Sequence, residues 1–250
     1  MSISSLIILI VLFFITSAVG VVTGSNSLVT VPVMFQFGID SKVAVATNMF
    51  GLTFMSIGAT IPFLRGNVID KKKVSPLILI TLVSSALGAI LVVYITPANI
   101  KLLVSIAMIC VTIFTLVKRD SGIAKAAEIS RGATVLTYIL TFALGIYGGL
   151  YSGGYVTMLT AVLVAFFGMT FTESVASTKL INVFSSLVAS AIFMWQGLVD
   201  YKIGAILAVT MFVGAYIGAH VVTKMSDVWL KRIFISTVIL LALKTLYDFI

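Results

Sequence analysis

One segment carries a cation, an amide and a hydroxyl at helical spacing. Lys179, Asn182 and Ser186 stand at i, i+3 and i+7 in Val175-Ala-Ser-Thr-Lys179-Leu-Ile-Asn182-Val-Phe-Ser185-Ser186, which puts them on one helix stripe. The surrounding stretch is apolar, and a lysine there is costly and by default functional. A cation beside an amide and a hydroxyl suits a small oxyanion. The alternative is a lysine snorkelling to headgroups. The corresponding earlier segment, Lys42-Val-Ala-Val-Ala-Thr-Asn48, aligns with Glu173-Ser-Val-Ala-Ser-Thr-Lys179. It offers Asn48, with Thr47 beside it, as a second polar contribution. Two glycine-rich breaks add backbone N–H groups, Ser25, Asn26 and Ser27 at one and Ser152, Gly153 and Gly154 at the other. Helix N-termini bind anions without a cationic side chain. The glycines also fit close helix packing. Tyr147, Tyr151 and Tyr155 follow at i+4 spacing, which fits either a cavity wall or packing.

Other chemistry is missing from the pattern. No carboxylate lies deep in an apolar run, so a proton or sodium site of that kind is not evident. No P-loop spacing occurs. No His/Cys/carboxylate cluster suggests a metal, no cofactor is implied, and no Ser/His/Asp set suggests an enzyme. His220, Trp195 and Trp229 sit at span ends and read as interfacial residues.

The elements that must position these residues follow from composition. The 250-residue chain is 60% hydrophobic and 10% charged, against about 25% charged in soluble domains. The net charge of +8 sits in short loops and acts as membrane orientation charge, not as a nucleic-acid footprint. The charge-free runs 1–39 and 132–172 are too long for one span of about 20 residues. Each is interrupted, at 20–27 and at 148–154. The pieces after the breaks, 26–38 and 155–168, are short, so they read as discontinuous helices. Non-helical backbone at that depth must line protein or a cavity.

The chain repeats at an offset of about 130 residues. The Asn48 and Lys179 segments align, Arg65-Gly66-Asn-Val-Ile-Asp70 aligns with Gln196-Gly197-Leu-Val-Asp200 with one deletion, and Ser84 to Ala89 aligns with Gly214 to Ala219. Placing the loops around Arg65 and Lys71–Lys73, around Lys118–Arg131 and around Lys224–Arg232 in the cytoplasm leaves only Lys42, Lys101, Lys202 and Lys244 outside. The positive-inside rule favours that arrangement, and it makes the halves inverted. The expectation is an all-α integral membrane protein of two inverted five-segment repeats with discontinuous helices. The first repeat is 1–117, the cytoplasmic linker 118–131 and the second repeat 132–250, with both termini outside. Paired broken helices in inverted repeats point to a transporter site.

With these residues in view, the chain resembles the sulfite exporter TauE/SafE family of prokaryotic membrane permeases. The resemblance rests on the duplicated break, on Ala46-Thr47-Asn48 and Ala176-Ser177-Thr178-Lys179, on the Arg65–Asp70 turn, and on Thr178-Lys179-Leu-Ile-Asn182-Val-Phe-Ser185. The first glycine cluster is thinner than the family's, and the second half has no proline at the place of Pro32. The resemblance implies transport of small sulfur-containing anions such as sulfite or organosulfonates in a prokaryotic cell membrane. The partners expected are a small anionic substrate and the lipid bilayer. The alternatives are a passive anion channel, a non-transporting membrane assembly factor and, against the charge-free breaks, a lipid-phosphate enzyme.

Overall fold

The computed structural model of the chain describes residues 3–24, 26–96, 99, 129–230, 232, 233 and 236. The expected fifth segments (102–117 and 233–243) lie almost wholly outside these, as do Ser25 and linker residues 118–128. Among the described residues, four longer helical elements appear in each half in the order long, short, long, long. They are α1 (Ile3–Thr23), α2 (Asn26–Gln36), α3 (Ser41–Arg65) and α4 (Lys71–Leu91, prolonged by a 3-10 turn over Val92–Tyr94), then α5 (Arg131–Leu150), α6 (Tyr155–Phe166), α7 (Phe171–Trp195) and α8 (Tyr201–Val222). The described residues are all-helical and hold six helices long and apolar enough to cross a membrane: α1, α3, α4, α5, α7 and α8. At about 1.5 Å per residue α2 and α6 reach about 17 and 18 Å, well short of the roughly 30 Å hydrocarbon core.

Helix starts are set by the loop acids and hydroxyls. Asp40, Asp70 and Asp200 accept backbone N–H groups at the starts of α3, α4 and α8, and Thr170 forms a capping box with Glu173 at α7. These side chains satisfy orphan helix donors. Ser130 caps α5, so Arg131, read as the last linker residue, is the first helical one.

Equivalent backbone features recur 130 residues apart without a gap. Gly24, Gly38 and Asn67 have positive φ, and so do Gly154, Gly168 and Gly197. The register inferred from sequence therefore shifts by one in two places. Asn67 is the counterpart of Gly197, so the turn carries no deletion. Asn48 is the counterpart of Thr178, and Lys179 that of Met49. The sequence alignment matched side-chain types, whereas the fold matches turn geometry.

Packing partners exchange between halves. α1 lies on α8 and α5 on α4, while α3 packs on α8 and α7 on α4. A Cβ on Gly214 would meet Phe14 O and one on Gly218 would meet Ala18 O, so α1 and α8 run parallel. Gly145 against Ser84 and Gly88 against Ile146 O give α5 and α4 the same relation. α3 and α7 cross with opposite direction. Ser56 pairs with Asn182, and Thr53, earlier in α3, pairs with Ser190, later in α7. Each short helix folds back along the next long one, as Thr30–Asn48 and Thr160–Thr178 contacts record. α1 with α2, and α5 with α6, thus form hairpins whose tips meet in the interior. Ile7, Val11 and Ile15 of α1, Leu79 and Val83 of α4, and Val209 and Val213 of α8 point outward, as a lipid-facing stripe requires.

Candidate functional site

The capping box starts α7 at Phe171, and two turns later Lys179 faces the hairpin tips. Lys179 is 2% exposed and its Nζ donates to Gly20 O at 2.8 Å. An ammonium has three donors, so this bond leaves two for other partners. Among the described residues no carboxylate pairs with it. Gly20 lies in the last turn of α1, so its carbonyl belongs to the negative end of that helix.

A cleft opens beside the ammonium, lined by Gly20, Gly24, Asn26, Ser27, Leu52, Met55, Ser56, Ser152, Val156, Lys179 and Asn182. Asn182 Nδ2 donates to Ser56 Oγ at 2.7 Å. Asn26 Nδ2 lies 3.2 Å from Ser17 Oγ and 3.1 Å from Met55 Sδ. The Oδ1 atoms of both amides are buried and have no partner among the described residues. Both are hydrogen-bond acceptors on residues that line the same cleft as the Lys179 ammonium.

The tips are pinned by hydroxyls and carbonyls. Ser27 Oγ and Ser152 Oγ are 2.6 Å apart. Tyr151 OH donates to Ser27 O at 2.9 Å, and Thr157 Oγ1 donates to Thr23 O at 2.6 Å. Tyr147 OH donates to Gly153 O. Behind them Asn48 Nδ2 donates to Ser27 Oγ at 2.8 Å and Thr30 Oγ1 donates to Asn48 Oδ1 at 2.7 Å. Gly24 is required twice over: its φ is +68°, and a Cβ there would stand 2.7 Å from Thr157 N. Only glycine takes that conformation without strain while letting the backbones approach.

Of the residues singled out from sequence, Lys179, Asn182, Asn26, Ser27 and Ser152 line the cleft together. Asn48 stands one layer back, between Ser27 and Thr30. Ser186 Oγ donates to Asn182 O of its own helix at 2.5 Å. Thr47 Oγ1 accepts from Asp200 N at 3.0 Å, at the start of α8. Gly153 is the turn that accepts from Tyr147, and Gly154, φ +80°, caps α6. Ser25 lies outside the described residues. Of the three tyrosines, Tyr151 and Tyr155 are fully packed. Sequence reasoning missed Gly20, Leu52, Met55, Ser56 and Val156, and also Ser17, which anchors Asn26. Ser56 was findable, because it is the 130-residue counterpart of Ser186; Ser17 sits in a uniform apolar run and carries no signal of its own.

Comparison with known proteins adds an independent line. A family described as "Sulfite exporter TauE/SafE" matches residues 8–245. The probable membrane transporter protein ORF9 of Sinorhizobium sp is 25% identical over 248 residues, covering 96% of this chain and 92% of that protein. The probable membrane transporter protein YfcA of Escherichia coli K12 is 27% identical over 247 residues, covering 95% and 89%. A probable membrane transporter protein of Haemophilus influenzae is 22% identical over 244 residues, covering 97% and 95%.

Proposed function

The chain belongs to the sulfite exporter TauE/SafE family of membrane transporters, and from that premise we propose that it moves small sulfur-containing anions, such as sulfite or organosulfonates, by alternating access. It is a multi-pass membrane protein with prokaryotic relatives. The substrate site in this reading is the cleft at Lys179, Asn182, Asn26 and Ser152, between the two hairpin tips. The observation that carries it is the buried Lys179 ammonium, which donates to the Gly20 carbonyl, has no carboxylate beside it among the described residues, and lines the cleft together with the side chains of Asn26, Asn182 and Ser152.

The two halves are inverted with respect to each other in this proposal, with repeats over 1–117 and 132–250. The opposite directions of α3 and α7, which are counterparts, support it, as does the exchange of packing partners. Such halves can rock about a central site, opening it to each side in turn. The tip contact between Ser27 and Ser152 is a barrier that one of those motions would part.

The test is uptake of radiolabelled sulfite, and separately of a short organosulfonate, into proteoliposomes carrying wild type or Lys179→Gln. Saturable flux that falls in the variant is expected. Unchanged binding and flux in Lys179→Gln would reject the site, and absence of flux of both anions through folded protein would reject the substrate class.

A further inference from the structure

Among the described residues the cleft holds one formal charge. Lys179 is the sole charged side chain among its lining residues. The helix ends around it offset one another. α2 and α6 present their N-terminal first turns at Asn26 and Val156, while the last turn of α1 holds Gly20 and α5 ends at Leu150, just before Ser152. Each end is equivalent to roughly half an elementary charge, positive at the N-terminus and negative at the C-terminus.

The amides do not change this balance, but they adapt to what binds. Each is anchored at one edge by a serine hydroxyl, Asn26 by Ser17 and Asn182 by Ser56. A hydroxyl donates as well as accepts. Asn182 can therefore turn over, keep its anchor and aim its NH2 group into the cleft, and Asn26 can do so by giving up its contact with Met55 Sδ; which edge faces inward is set by the hydrogen-bond network. The cleft can thus offer donors or acceptors while its charge stays at plus one.

From this balance we infer that the cleft selects its ligand by charge, accepting singly charged oxyanions such as a sulfonate or hydrogen sulfite and rejecting dianions such as sulfate. The inference rests on the reading of the cleft as the substrate site. A monoanion neutralises Lys179. A dianion leaves one uncompensated negative charge against Leu52, Met55 and Val156, and an unpaired buried charge is strongly unfavourable. For sulfite itself the carried species is then the protonated form, and flux follows the fraction of the anion that holds a proton.

The experiment uses the full chain in proteoliposomes with three probes: methanesulfonate, always a monoanion; sulfate, a dianion; and sulfite, whose charge changes near neutral pH. The ratio of sulfite to methanesulfonate flux should fall as the medium is made more alkaline, and using a ratio cancels any effect of pH on the protein. Sulfate should be taken up about 100-fold less well than methanesulfonate, the scale set by an uncompensated buried charge. Leu52→Lys, which adds a second cation to the cleft wall, should raise sulfate relative to methanesulfonate, while Leu52→Gln should not. Sulfate carried as well as methanesulfonate, or a sulfite ratio that rises with alkalinity, would overturn the inference. Formate and oxalate separate the two ideas. If neither sulfur anion moves but formate passes and oxalate does not, the charge rule stands and the sulfur-anion reading fails. If oxalate passes as readily as formate, the charge rule fails. If no anion of either charge binds or moves, both fail.

Discussion

Lys179, Asn182, Asn26 and Ser152 have as counterparts, 130 residues away in the other half, Met49, Leu52, Val156 and Val22. The first group is cationic and polar; the second is entirely apolar. Elsewhere the halves remain alike. Gly88 and Gly218 occupy equivalent close contacts, α4 on α5 and α8 on α1, and Asp70 and Asp200 cap the equivalent helices α4 and α8. Thr30 and Thr160 bond across to Asn48 and Thr178 of the following long helix. The scaffold has thus kept its two-fold resemblance where packing and capping demand it, and lost it at these four cleft positions, while Ser27 and Thr157, and Ser56 and Ser186, stay polar in both halves. A second cation at the counterpart position, Met49, would be buried as well, and like charges in low dielectric repel strongly. One polar face against one apolar face gives a single site of single charge.

The largest expected effect tests whether the two halves move against each other at their contact. Ser27→Cys with Ser152→Cys, in a Cys110→Ser background, replaces hydroxyls 2.6 Å apart with thiols that a bond of about 2.0 Å would join. Oxidation should abolish uptake and a reductant should restore it; full flux through verified cross-linked protein would mean the tips never part.

Next is the polar face against its apolar twin. Lys179→Gln should weaken substrate affinity roughly 10- to 100-fold, the scale of one charged hydrogen bond, whereas Met49→Leu, a volume-conserving swap, should leave transport kinetics near wild type. Comparable losses in both variants would show that the asymmetry carries no function.

The symmetric part of the scaffold should respond symmetrically. A Cβ on Gly88 would stand 1.9 Å from Ile146 O, and one on Gly218 2.3 Å from Ala18 O. Gly88→Ala and Gly218→Ala should each destabilise by about 1–3 kcal/mol or more, read as similar falls in Tm in detergent. A large difference between them would break the equivalence of the α4–α5 and α8–α1 contacts.

The smallest effect separates two related hydroxyls. Thr30→Val and Thr160→Val each remove a buried hydroxyl that bonds both the carbonyl four residues back and the next long helix, a loss of about 1–2 kcal/mol. Thr30→Val should cost more, because it strands Asn48 Oδ1, while Thr178 retains its bond to Val175 O at 3.0 Å. Thermal unfolding of the pair checks the order.

Much of this architecture was legible from residue types alone. The short helices end within two residues of the expected 26–38 and 155–168, because glycine and charge-free length constrain a chain in lipid whatever its partners. Lys179 stood out because a cation in an apolar run has few tolerable explanations. The lining was less legible. Ser186 shares a stripe with Lys179 but bonds its own helix, since a serine can satisfy itself on the carbonyl four residues back. Thr47 neighbours Asn48 in sequence but points to another helix, as adjacent residues on a helix must. The pairing of Asn48 with Lys179 followed side-chain likeness, and only the positive-φ turns at Gly38, Asn67, Gly168 and Gly197 set the register one residue over.

By itself, then, the sequence determined that the chain is a membrane protein, where its two over-long apolar runs break, and that one cation in an apolar run needs a purpose. These follow from local costs: charge in hydrocarbon, backbone without partners, helices too short to cross. The tertiary structure decided which atoms share the cleft. Gly20, Ser17 and Ser56 lie 159 residues, nine residues and 126 residues from the side chains they hold. The long-range bonds depend on how α1 and α3 pack against α7. That packing is a property of whole helix surfaces meeting, and no spacing along one helix encodes it.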